Sequence, residues 1–238
     1  MSRTLAALLL ALSMRACLDL EYEYEHEFWL DVDGSGTVYV TGRPALWAAF
    51  KGLPAADDRR DESRRAARAL FERAGLRVRR VTWTRRDGRP YLFVSADFED
   101  VNRLAASGAF PDLEIALRPS GQNLGMEGRW RRPEGLPAPP AADRRGVMAV
   151  RFHLPSRVYE HRNAAEGLER GNIVAWRQEV ATGLDGQHLA FGAVIDRRSI
   201  LLSTVALFAG AILLGVSAVA LVVYLTFRKG RAQRAAGG

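Results

Sequence analysis

The sequence predicts an α+β fold, an antiparallel sheet with two or three helices, followed by one C-terminal transmembrane helix. Three observations carry that reading. Residues 20–32 alternate apolar and mostly acidic side chains with period two. Short strand-like runs, punctuated by Asp-Gly and Gly-rich turn signals, have only a few helical stretches among them, which is the pattern of α+β and not of strict βα alternation. Residues 200–227 contain no charged side chain.

From the N-terminus, Arg3 precedes a run of apolar residues at 4–12, and small residues at 13–16 approach Cys17. This pattern predicts an export signal over residues 1–16, too short to span a bilayer. Cys17 is the only cysteine, so no intrachain disulfide can form and the folded part must be held by its own core. Met14-Arg15-Ala16-Cys17 resembles a bacterial lipobox, which makes Cys17 the candidate lipid-attachment residue. Arg15 stands where a small uncharged residue is usual, and ordinary cleavage after Ala16 is the alternative.

Residues 17–198 form the predicted extracytoplasmic domain. Tyr22, Tyr24, His26, Phe28, Leu30 and Val32 fall on one face of the first strand, and Glu21, Glu23, Glu25, Glu27, Asp31 and Asp33 on the other. Asp33-Gly34-Ser35-Gly36 supplies a turn into a second strand at 37–41, giving a β-hairpin. A short helix or turn is expected at 44–50. A longer helix is expected at 57–74, with Asp57 or Asp58 near its N-cap and Gly75 as its stop. Its arginines at 59, 60, 64, 65 and 68 alternate with Asp57, Asp58, Asp61 and Glu62, the pattern of a solvated face.

Strands are predicted at 77–84 and 90–98 around an Asp87-Gly88 turn, a short helix at 100–107 closed by Gly108, and a strand at 113–117. The Gly121, Gly125 and Gly128 spacings read as turns. The Pro-rich, charged segment 129–145 reads as a loop or linker. Further strands are predicted at 146–154, 172–180 and 187–195.

The uncharged run at 199–227 exceeds the roughly 20 apolar residues that a bilayer core requires. Arg228, Lys229, Arg231 and Arg234 follow it in a basic tail, 228–238, so the excess of basic residues places the C-terminus inside. The whole chain carries +7. Removing Arg3, Arg15 and those four tail residues leaves +1 on residues 17–227. The basicity therefore reports topology and not a nucleic-acid partner.

No catalytic, cofactor or metal motif emerges. His26, His153, His161 and His188 lack the short ligand spacings of a zinc or iron site, and no Gly-x-Ser-x-Gly elbow or P-loop is present. His26 on the apolar face and His153 before Pro155 read as structural. The acidic stripe of Glu21, Glu23, Glu25 and Glu27 reads as a solvated face opposite arginines, with a cation site as the alternative. Ala206, Gly210, Ala211 and Gly215 give small-residue spacings that permit helix self-association.

Phe152-His153-Leu154-Pro155-Ser156-Arg157-Val158, then Asn163, then Gly171-Asn172-Ile173-Val174-Ala175-Trp176 form a pattern that resembles the LppM family. Those are exported bacterial proteins with a lipoprotein-type signal, an extracytoplasmic α+β domain and one C-terminal transmembrane helix. Ser156 stands where that pattern usually has glycine. The resemblance implies contact with envelope lipid or glycolipid, with no residue-level binding site to carry over. A structural or assembly role, in which the domain docks another envelope protein without a ligand, is the alternative; an enzyme is the third and least supported reading.

Overall fold

A computed structural model describes residues 22–164, 168–198 and 200–236. The predicted signal, Cys17 and Glu21 lie outside the described residues. The N-terminal alternation resolves into β1 (Tyr24–Leu30), paired antiparallel with β2 (Gly36–Gly42) across the predicted turn, where Gly34 takes a left-handed φ of 88°. Pro44 opens α1 (Pro44–Lys51), which Gly52 closes in a left-handed conformation. α2 (Arg60–Arg73) follows a 3₁₀ turn at Asp57–Arg59 and buries only Ser63, Ala67 and Phe71 fully. Its arginines at 59, 60, 64 and 65 are exposed, as a solvated face requires. Asp57 does not cap the helix: its Oδ1 accepts hydrogen bonds from Trp83 Nε1 (3.0 Å) and Arg60 Nε (2.9 Å).

β3 (Arg77–Arg86) and β4 (Arg89–Phe98) flank Asp87 and Gly88, both at positive φ. The helix expected at 100–107 is two 3₁₀ turns. β5 (Leu113–Ser120) then pairs with β6 (Asn123–Trp130), a strand that the Gly spacing concealed. Beyond the Pro-rich loop come β7 (Val147–His153), β8 (Val158–Arg162), β9 (Leu168–Arg170), β10 (Ile173–Glu179), the short α3 (Val180–Leu184) and β11 (Leu189–Asp196). β8 and β9 were not predicted.

The fold is α+β, with two sheets instead of one. A seven-stranded sheet runs β3-β4-β2-β1-β7-β10-β9 and a four-stranded sheet runs β5-β6-β11-β8. The larger sheet is mixed, because β1 pairs in parallel with β7. Strands from both sides of the Pro-rich loop thus enter both sheets. The inner face of the large sheet packs on the small sheet and on α1 and α2, in one cluster rich in aromatic rings. Phe28 stacks on Phe152 at 4.7 Å, and Phe152 lies 5.7 Å from Phe191 of the small sheet.

β11 ends at Asp196, and α4 (Ile200–Ala236) begins after three intervening residues. Within α4, Thr204–Tyr224 is a 21-residue stretch long and apolar enough to cross a membrane, and its side chains are almost all exposed. The helix continues through the basic segment read as a separate tail, as far as Ala236.

Candidate functional site

Among the described residues, no helix covers the outer face of the large sheet at β1. The acidic residues of that strand point there, but they are not a solvated row. Glu23 is buried and accepts hydrogen bonds from Tyr91 Oη (2.9 Å) and Arg89 Nη1 (2.6 Å). Glu25 and Glu27 share Arg151, at 3.3 and 3.5 Å. This corrects the expectation of a solvated stripe, and the neutralising charges are the protein's own arginines. Parallel pairing places Arg151 beside Glu27 and His153 beside Trp29, which is why the match is invisible from local sequence.

At the end of β1 the stripe gives way to an open cleft of about 680 Å³. Trp29 is 45% exposed, and its ring stacks on His153 with centroids 3.5 Å apart and planes 10° from parallel. His153 Nε2 lies 2.7 Å from Glu27 Oε1. Burial pushes the Glu27 carboxyl up, but contacts with His153 and Arg151 outweigh it and hold the group below the usual range. Across the cleft, Asp97 is bracketed by Arg77 Nη2 and Arg79 Nε, each at 2.6 Å, and accepts from Thr37 Oγ1 at 2.9 Å. Partial burial raises its pKa and these three donors lower it further, so it stays ionised.

Two largely exposed guanidinium groups thus share one carboxylate on one wall of the cleft, and the exposed Asp31 on the Trp29 side balances the second charge. Pro155 and Asn172 complete the wall. Such a surface can stack an apolar ring face or sugar on Trp29 and offer guanidinium donors to an anionic oxygen.

A second polar cluster is sealed in the core. Lys51 Nζ donates to Asp112 Oδ1 (2.9 Å) and to the Ala109 carbonyl (2.8 Å), and lies 4.1 Å from the centre of the Phe110 ring. Asp112 Oδ2 accepts from Trp130 Nε1 at 2.9 Å, with Tyr24 Oη at 3.5 Å and His26 Nε2 at 3.4 Å. His26 is fully buried, and burial and the Lys51 charge together drive its pKa well below the ordinary histidine value. The ring is therefore neutral, and it packs between Tyr24, Phe110 and Trp130. Sequence reading placed His26 in the core but missed Lys51 and Asp112. The available signal was a lysine closing an otherwise apolar helix.

The residues behind the family resemblance have structural work. Asn172 Nδ2 donates to the Leu154 carbonyl, Leu154 N–H to the Asn172 carbonyl, and Asn163 Nδ2 to the Ala190 carbonyl from a left-handed backbone. Ser156 Oγ bonds the Asp196 carbonyl at 2.5 Å, tying the end of β7 to the end of β11. His161 is half-buried and His188 exposed, on separate elements. Among the described residues no group of three or more His, Cys, Asp and Glu is arranged to hold a metal ion. Gly210 and Gly215 have no neighbour within 4 Å where a side chain would begin.

These elements define an α+β domain of two stacked sheets joined directly to one candidate membrane-spanning helix. No family model matches the chain, and no curated protein sequence matches it. Among solved structures it is similar to the NMR structure of the folded domain of the Mycobacterium tuberculosis protein LppM. The match is 15% identical with a TM-score of 0.39, and covers 76% of this chain and 95% of that one.

Proposed function

We propose that this is a membrane-anchored envelope protein whose extracytoplasmic domain binds the polar part of a membrane lipid or glycolipid. α4 spans the membrane with its basic end in the cytoplasm, and Cys17 carries a second, acyl anchor. The observation that carries the reading is the position of the Trp29 cleft. β7 ends at His153, under Trp29, and Ser156 just beyond it is bonded to Asp196, four residues before the start of α4. The cleft therefore lies at the pole of the domain that the anchor holds against the bilayer.

The role is recognition. The polar groups of the cleft are engaged with one another, His153 with Glu27 and the arginines with Asp97, as suits a preorganised binding surface. The core is filled with packed aromatic rings, so the headgroup and not the acyl chain is the part recognised.

The test is native mass spectrometry and lipid extraction on the full chain, purified in mild detergent from bacterial membranes. Wild type is expected to retain lipid. Trp29→Ala combined with Arg79→Gln should retain about tenfold less, the loss that corresponds to about 1.4 kcal/mol. Equal lipid on both proteins would refute the cleft. Recovery of one stoichiometric protein partner and no lipid would establish the assembly role instead. Mass analysis of the mature N-terminus reports acylation of Cys17.

A further inference from the structure

We infer that the small-sheet side of the anchored pole rests on the outer surface of an anionic bilayer, with Tyr159 at headgroup depth and Arg118, Arg157, Arg197 and Arg198 against lipid phosphates. This rests on reading α4 as a membrane span.

The geometry begins with the connection. Three residues separate Asp196 from Ile200, and an extended chain over those four steps reaches only about 14 Å. Whatever surrounds Asp196 is held at the membrane surface. Asp196 N–H donates to the Arg157 carbonyl at 2.9 Å, and its Oδ2 accepts from Tyr159 Oη at 2.9 Å. Its cross-strand partner is Asn123, the first residue of β6, and the turn behind Asn123 leads back along β5 to Arg118. Arg197 and Arg198 lie in the connection itself.

The character of that surface fits a lipid headgroup layer. Outside α4, the large apolar or aromatic side chains exposed among the described residues are Trp29 and Tyr159, and both lie at this pole. Tyr159 is 48% exposed, with its hydroxyl held by Asp196 and the Arg157 guanidinium 5.4 Å from its ring centre. An amphipathic ring with an anchored hydroxyl is the side chain that bilayer interfaces favour. All four arginines are exposed. Asp196, the carboxylate whose charge acts on Arg157 and Arg198, accepts hydrogen bonds from Tyr159 and from the backbone N–H of Arg198. The β1–β2 turn, by contrast, presents Asp31 and Asp33 to solvent beside Trp29. An anionic surface repels that side and attracts the other, so contact falls on the small sheet and the Trp29 cleft stays open.

The experiment uses the full chain in nanodiscs of phosphatidylcholine with or without phosphatidylglycerol. Trp29→Phe and Trp83→Phe combined with Tyr159→Trp leave position 159 as the exposed tryptophan, since Trp83 is half-buried in the native chain and Trp47, Trp130 and Trp176 are fully buried. Its quenching by lipids brominated near the headgroup reads docking. Strong quenching is expected only with phosphatidylglycerol. Adding Arg118→Gln or Arg157→Gln should lower the docked-to-free ratio about fivefold each, and high salt should do the same. Equal quenching in both lipids, or none, overturns the inference. If Tyr159→Trp lowers the melting temperature, a nitroxide on Glu160→Cys in a Cys17→Ser background reports the same depth by relaxation. A chain released from membranes by alkaline extraction overturns the span and this inference together. One that stays in the membrane undocked overturns this inference alone.

Discussion

Lys51 and Asp112 meet in the core, each with a fully buried side chain, and the pair is tolerable because every charged oxygen and the ammonium have partners. His26 is another ionisable group there, beside Tyr24, and is held neutral. Its folded pKa is lowered, so the unfolded chain takes up a proton first as pH falls. Stability is therefore lost below the ordinary histidine range near 6.5, at a limiting slope of about 1.4 kcal/mol per pH unit. Urea unfolding of the full chain in detergent should show a midpoint falling from pH 7 to pH 5. The His26→Gln variant should show a shallower fall over the same interval, whatever its absolute stability. At this scale the sequence was half legible. Period two exposed His26 as a core residue, whereas Lys51 and Asp112 are brought together by helix and loop placement that no local pattern records. Likewise Glu23, Glu25 and Glu27 announced themselves as a row, but their partners Arg89 and Arg151 come from distant strands.

Among the elements, the hairpins with Asp-Gly and Gly-Ser-Gly turns and the two longer domain helices were readable because turn chemistry and periodicity are local. β6 was not, because its glycines imitate turn signals. Gly128 is a strand residue whose missing side chain makes room for a neighbour: a Cβ there would lie 2.3 Å from the Phe191 ring and 2.5 Å from the Glu114 carbonyl oxygen. Gly128→Ala should therefore destabilise by about 1–3 kcal/mol, as overpacking does. Alanine at Gly125, where the nearest atom is 3.5 Å away, should cost less, and thermal melting of the two variants checks the order. β8 and β9 escaped notice for a different reason, being short and irregularly paired.

For the whole molecule, charge distribution says more than charge content. The tail residues Arg228, Lys229, Arg231 and Arg234 hold the proposed orientation through the preference for basic residues on the cytoplasmic side. A C-terminal tag should be protected from protease in intact cells. Replacing those four residues with glutamine should make a fraction of the tags accessible. The α+β class and the long apolar helix were legible from composition and periodicity. The division into two sheets was not, since it depends on which distant strands pair.

The parallel pairing of β1 with β7 also fixes an order of events during biosynthesis. β1 is among the first strands to emerge, and its β2 side closes at once through a local hairpin. Its other edge stays open until everything from Asp31 to Gly146 has been made. An open edge is a template for wrong pairing, and charged side chains along it are what discourages that. Glu25 and Glu27 stand on that edge before Arg151 and His153 arrive. The carboxylates that bind arginine in the finished protein thus act earlier as guards of the nascent strand.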